Sequence, residues 1–273
     1  MIARPALALV AALLAPLQAP AGAWTKPEGE GVAILGIGRE GAPAGMLTGR
    51  APDGAKHSGQ LYVEYGLSER VTLGAKLFAD RRHDGAEARS AQAGGFARVR
   101  LWAGEASVTS VELGAAVPME GLLGDRYSAP QPDNAAELSV AGLVGRSWWG
   151  DWGSAFLSSS WGYALRGEGA PGQVRSESTL GYKPADCCMA IVSLHGRYET
   201  PALAAMAGRM TGRAVPPVDG GASLKIAPSV AFRLPGGPAE AGRDRAFLQI
   251  GLSRELVDTG GGLGVSLSVW RTF

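Results

Sequence analysis

Val71-Thr72-Leu73-Gly74-Ala75-Lys76-Leu77-Phe78 carries Val, Leu, Ala and Leu on one parity and Thr, Gly, Lys and Phe on the other. Period two is the mark of an extended strand whose two faces meet different surroundings. The polar stretch Gly66-Leu67-Ser68-Glu69-Arg70 stands before it, so a tight turn is expected there. The same alternation recurs at Ala97, Val99 and Leu101, at Thr109, Val111, Leu113 and Ala115, at Leu224, Ile226, Pro228 and Val230, and at Ala246, Leu248, Ile250 and Leu252. Segments of roughly ten residues with this period are the weak signature of a membrane-spanning strand. A half-buried sheet in a soluble protein shares the period, so alternation does not decide the matter alone.

Three further patterns decide it. Strands are expected near 30–39, 57–66, 70–79, 93–103, 107–117, 135–147, 152–163, 173–182, 188–199, 221–233, 244–254 and 262–273. Twelve is an even number, which returns both ends to one side of a membrane. Short connections at 67–69, 104–106, 148–151 and 183–187 alternate with long ones at 40–56, 80–92, 118–134, 164–172 and 200–220, as periplasmic turns alternate with outer loops. The 234–243 connection is a long periplasmic turn that breaks the rule, and the 255–261 outer loop is short. Aromatic residues fall at strand ends: Tyr65, Trp102, Trp148, Trp149, Trp152, Tyr182, Trp270 and Phe273 at the periplasmic level, Phe78, Phe96, Trp161, Tyr163 and Tyr198 at the outer level. Amphipathic rings favour the headgroup level, so two belts are expected of a barrel. Parity turns Trp102 and Phe78 inward, so the belts are partial. The expected fold is all-β: a closed antiparallel transmembrane β-barrel of about twelve strands.

Composition agrees. Gly is 41 of 273 residues, which disfavours a large helical bundle. The 26 Lys+Arg against 25 Asp+Glu leave no basic footprint for nucleic acid. Arg4, the apolar stretch from Ala6 to Leu17 and the small residues Ala21-Gly22-Ala23 read as a signal peptide over 1–23, leaving a barrel over 24–273. The destination expected is the cell outer membrane, with membrane lipid and lipopolysaccharide as partners.

By parity Glu64, Lys76, Arg98, Arg100, Glu112, Arg175, Glu177, Lys225 and Arg233 line the lumen. Ion pairs that merely fill the barrel are as good an explanation as a charge-selective constriction, because isolated barrels need polar interiors anyway. Five basic against three acidic residues before Arg233 lean toward anions. Tyr65, Trp148, Trp149, Trp161, Tyr163, Tyr182 and Phe273 are the expected membrane-interface aromatics.

Catalytic and metal chemistry finds less support, and no cofactor is expected. Gly36-Ile37-Gly38-Arg39-Glu40-Gly41 matches a dinucleotide fingerprint, but Ala42-Pro43-Ala44-Gly45 follows where a helix is needed. His57 and Ser58 sit at an outer strand end, where a lipid hydrolase would place its site. His195 shares a face with Ser193, and the alternation of Met189 and Ile191 turns that face toward lipid. Asp80-Arg81-Arg82-His83-Asp84 reads as a charged outer loop that could meet a cation or lipopolysaccharide headgroup, a solvated loop being the plainer account. Cys187-Cys188 falls at a periplasmic turn, with no metal-ligand spacing around it.

The segment Gly264 to Phe273 looks like the C-terminal sorting strand of bacterial outer-membrane barrels, which implies the barrel-assembly machinery as a partner; Arg271 departs from its apolar pattern. Ala23-Trp24-Thr25-Lys26-Pro27-Glu28-Gly29-Glu30-Gly31 and Tyr62-Val63-Glu64-Tyr65-Gly66-Leu67-Ser68-Glu69-Arg70-Val71-Thr72-Leu73-Gly74 resemble the outer-membrane family named for the meta-pathway of phenol degradation. Members commonly open with a Trp-containing, Gly-rich segment and carry such a turn. The resemblance covers Ala23 to Gly74 plus the terminal Phe273. It implies a transporter or channel, with aromatic or hydrophobic compounds as solutes, and brings no catalytic residues. The reading is a non-enzymatic, passive outer-membrane channel or transporter for small molecules. A lipid hydrolase or deacylase of the same barrel size and a structural or adhesive barrel with long outer loops are the alternatives.

Overall fold

Alternation becomes a closed ladder in the computed structural model, which describes residues 22–41, 55–84, 86–119, 135–167, 170–200, 221–235, 245–257 and 262–273. The strands are β1 (Gly31–Gly41), β2 (Ala55–Ser68), β3 (Val71–Asp84), β4 (Ala86–Ala103), β5 (Ser107–Pro118), β6 (Glu137–Gly150), β7 (Gly153–Arg166), β8 (Gly172–Ala185), β9 (Cys188–Thr200), β10 (Ala222–Arg233), β11 (Arg245–Val257) and β12 (Leu263–Thr272). Each pairs antiparallel with its sequence neighbours, and β1 pairs with β12 to close the barrel. The described residues contain no helix.

Closure is sealed at the chain ends. Val32 opposes Thr272 and Gly41 opposes Leu263. The Gly31 amide donates to the Phe273 carbonyl at 2.8 Å, and the Phe273 amide returns the bond at 3.1 Å. The Phe273 ring lies over Gly31, where an added Cβ would come within 2.4 Å of it. Every described strand thus has a neighbour on both sides, so the ring itself has no free edge strand.

The outward parity is apolar. Leu35 and Ile37 are each 62% exposed, and Leu61, Leu73, Leu113, Leu138, Leu180, Leu252 and Leu267 share that condition around the wall. An exposed aliphatic belt on every strand is an aggregation hazard in water and a solvation match in a bilayer.

Several sequence expectations change here. The loop expected at 80–92 is mostly ladder: β3 runs to Asp84, β4 begins at Ala86, and Ala55 still opposes His83. Trp102 faces outward, because a bulge between Arg100 and Trp102 adds one residue to β4 and reverses its parity. It opposes Thr109, on the face of exposed Leu113, and is itself 56% exposed. Trp149 leaves the set of lipid-facing aromatics. Neighbours on a strand face opposite ways, so with Trp148 outward, Trp149 turns into the periplasmic mouth beside Ser147. Trp270 is inward and 5% exposed, its indole donating to Gln249 Oε1 at 2.9 Å. The connections expected at 40–56, 118–134, 200–220, 234–243 and 255–261 lie largely outside the described residues.

Candidate functional site

The lumen is crossed by the chain's own N-terminal segment. Residues 22–30 leave β1 at the periplasmic rim and reach Ser158 on β7, the strand farthest from β1 around a twelve-strand ring. Polar side chains on the inner wall hold this segment. The Ala23 amide donates to Ser158 Oγ at 3.0 Å, and Ser110 Oγ donates to the Ala23 carbonyl at 2.6 Å. The Lys26 amide donates to Thr72 Oγ1 at 2.7 Å, and Arg98 Nη1 donates to the Trp24 carbonyl at 3.3 Å. Gly66 and Glu30 are joined by an amide-to-carbonyl bond of 2.9 Å. A segment without secondary structure needs such partners for its backbone once it is out of water. The Trp24 ring meets Phe156 edge-on at 6.2 Å and covers Ala23, Val108 and Leu143.

One ion network ties segment to wall. Arg98 is bracketed by two carboxylates: Nη1 lies 2.9 Å from Glu64 and Nη2 lies 2.7 Å from Glu112. Lys26 Nζ approaches the second Glu64 oxygen at 3.7 Å, Lys76 Nζ approaches Glu112 at 3.7 Å, and the Tyr62 hydroxyl donates to Glu64. Glu64 is fully buried and Arg98 is 3% exposed. Charges taken this far from water persist only when paired with good geometry.

Outward of the network lies a cavity of about 890 Å³. Lys76, Arg98, Glu112, Arg175, Glu177 and Lys225 line it. Glu64 lies beneath it, under the segment, while Arg100 lines a separate pocket of about 160 Å³ on the periplasmic side with Trp24, Thr25 and Trp149. Arg175 makes a bidentate pair with Glu137 at 2.8 and 2.7 Å, and Lys225 pairs with Glu40. Phe78, Phe96 and Tyr62 also reach the cavity. Tyr62 stacks on Phe96 at 5.9 Å, Lys76 sits over the Phe96 ring at 4.7 Å, and Lys56 sits over Phe78 at 5.6 Å.

Other candidates are placed differently from the sequence reading. His195 faces the cavity, not lipid, with Nδ1 at 3.9 Å from Glu177. Met189 and Ile191 share its parity because they pack inside, against Trp270 and Ala231. Ser193 is engaged with Thr179 at 2.9 Å. His57 faces out while Ser58 faces in, since Lys56 lines the cavity and faces alternate. Tyr65, Trp148, Trp161, Tyr182 and Phe273 are all exposed. Tyr163 shares the Trp161 parity, and its hydroxyl lies 3.4 Å from Thr200 Oγ1. Cys187 and Cys188 are free thiols with sulfurs 3.2 Å apart at the β8–β9 turn. Among the described residues no group of His, Cys, Asp and Glu could hold a metal ion.

The same parity also turns inward charges left out of the expected set: the acids Glu40, Asp80, Glu137, Glu199 and Glu255 and the bases Lys56, Arg166 and Arg197. Asp80 takes a Lys56 contact at 2.9 Å and a Ser90 hydroxyl at 2.7 Å. With more acids than bases among them, these charges offset the lean toward anions. No periodicity announced that residues 22–30 lie within the barrel.

No family model matches the chain, and no curated protein matches it. Among solved structures, the crystal structure of an outer membrane channel from Pseudomonas putida F1 superposes with a TM-score of 0.57 at 11% identity, covering 94% of this chain and 100% of that one. The KdgM porin superposes with a TM-score of 0.49 at 8% identity, over 88% of this chain and 99% of that one. The first likeness shows a shared fold.

Proposed function

We propose that the chain is a passive outer-membrane channel for small molecules, narrowed by its own N-terminal segment. The observation that carries the reading is the cavity of about 890 Å³ inside an outwardly apolar closed barrel, continued on the other side of Trp24 by the periplasmic pocket. Solute would enter from the outer side, rest against the wall of Tyr62, Phe78, Phe96 and Lys76, and pass the segment by diffusion. That mixed wall suits amphiphilic solutes, aromatic compounds among them, because a ring can stack while an anionic group meets an ammonium. The resemblance of Ala23 to Gly74 to the phenol-pathway family supports the same solute class.

Purified protein with heat-modifiable gel migration is expected to give small discrete conductance steps in planar bilayers. Its liposomes are expected to swell with small amphiphilic solutes. A folded barrel giving neither would overturn the channel.

The hydrolase reading gains nothing from geometry. His57 and Ser58 face opposite sides of the wall, and Ser193 is bonded to Thr179. Wild-type protein is expected to leave phospholipid and lipid A uncleaved. The proposal includes a cleaved signal peptide over 1–23, so the intact mass of the exported barrel should begin at Trp24; the segment in the exported barrel is then 24–30, held through Trp24, Thr25 and Lys26 and without the Ala23 bonds to Ser110 and Ser158. It also includes handling by the barrel-assembly machinery through the strand ending at Phe273, so deleting Phe273 should lower the yield of folded barrel in the outer membrane. The loop trimming that would test an adhesive role falls on 118–134 and 200–220, outside the described residues.

A further inference from the structure

Arg39, His57 and Arg81 stand in one row on three adjacent strands. Arg39 opposes His57 across β1–β2, and His57 opposes Arg81 across β2–β3. Directly opposed residues share a face, and neighbouring strands lie about 4.8 Å apart, so the row is about 10 Å wide. Its face is the outer one. Glu40 and Lys56 line the cavity, Lys56 pairs with inward Asp80, and each is the chain neighbour of a row member.

The row's height is fixed by the ladder beneath it. The next outward row is Ile37, Gly59 and Ala79, and the one below is Leu35, Leu61 and Leu77. Tyr65 marks the periplasmic interface eight residues from His57, or about 27 Å of strand. With an ordinary barrel tilt this spans most of the roughly 25 Å apolar band. Arg39, His57 and Arg81 therefore lie where aliphatic wall gives way to the outer-leaflet headgroups. Under them Gly59 is hollow: an added Cβ there would have nothing within 4 Å. Ile37, at 62% exposed, stands proud beside it.

We infer that this row is a binding site for the phosphate of an outer-leaflet phosphorylated glycolipid, with an acyl chain lying in the hollow over Gly59 and Ala79. A guanidinium carries five donors, so a contact made within the chain leaves others for a phosphate, and the His57 ring adds an N–H. The inference rests on the outer-membrane placement and not on conduction, so its failure leaves the channel reading standing.

The test uses full-length protein in detergent, delipidated and reloaded with lipid A, with bound lipid counted by native mass spectrometry. Wild type is expected to retain lipid A, and the variant R39Q/H57Q/R81Q to bind it about tenfold or more weakly, through loss of charge-assisted contacts. R146Q, at an outward position near the periplasmic rim, should retain it like wild type. Dephosphorylated lipid A should not be held, and inorganic phosphate should not displace the lipid. Equal retention by the triple variant, equal retention of the dephosphorylated lipid, or displacement by inorganic phosphate would each overturn the site. If the triple variant does not fold, R81Q and H57Q singly should still weaken retention, and unchanged retention in both would overturn it as well. Conductance of the folded triple variant is expected to match wild type.

Discussion

Arg98 is the residue on which the interior turns. It pairs with Glu64 and with Glu112 and reaches the Trp24 carbonyl. Removing it leaves fully buried Glu64 with Lys26 at 3.7 Å as its remaining charge partner. Breaking a buried pair from one side costs about 3–5 kcal/mol, mostly as the penalty of an uncompensated charge. Arg98→Ala should therefore lower the temperature at which heat-modifiable migration is lost. Glu112→Gln should cost less, since an amide oxygen still accepts from the guanidinium and Glu112 is part-exposed. It should nevertheless change conductance, because Lys76 then faces the cavity without its carboxylate. Conductance and ion selectivity unchanged by both variants would remove the network from the permeation path.

At the scale of the element, the strands were readable because each pays its burial on one parity only. Val71 to Phe78 and Ala246 to Leu252 keep the period through their whole length, so their positions and facing follow without a structure. Legibility failed where one residue is gained. The bulge at Arg100/Trp102 turns Trp102 over, and nothing local in Arg100-Leu101-Trp102 marks it. It failed again where the wall has apolar residues inside: Met189, Ile191 and Trp270 face inward onto one another, so apolarity misreported the side of His195. Residues 22–30 have no period at all, since their partners are Ser110, Ser158 and Thr72, each far away in sequence. One glycine does report their presence. An added Cβ at Gly66 would lie 2.0 Å from the Pro27 carbonyl oxygen, and backbone cannot yield as a side-chain tip can. Gly66→Ala should push the segment off the wall at that end while the β2–β3 ladder persists. The expected result is a larger single-channel conductance at unchanged heat-modifiable migration. Unchanged conductance would mean that the segment is not what limits flow.

For the whole molecule, the deciding quantity is the charge that a permeating ion meets and not the total on the wall. Most inward charges cancel locally: Arg175 with Glu137, Lys225 with Glu40, Lys56 with Asp80. Paired charges present a short-range field to an ion, and salt screens what remains beyond about 10 Å at 0.1 M. The network around the segment differs, because three cations, Lys26, Lys76 and Arg98, face two carboxylates, Glu64 and Glu112, at the level that the segment crosses. Lys76 is the member that meets the cavity, its side chain 54% exposed above Phe96. Wild type should therefore show weak selectivity, with a reversal potential near zero in a salt gradient. Lys76→Glu converts the set to two cations and three carboxylates at a position that costs little stability, since the side chain is already half in water. It should move the reversal potential toward cations, most at low salt and progressively less as screening shortens the field. A reversal potential that ignores both the substitution and the salt would place the permeation path away from Lys76, along the opposite wall by His195 and Glu177.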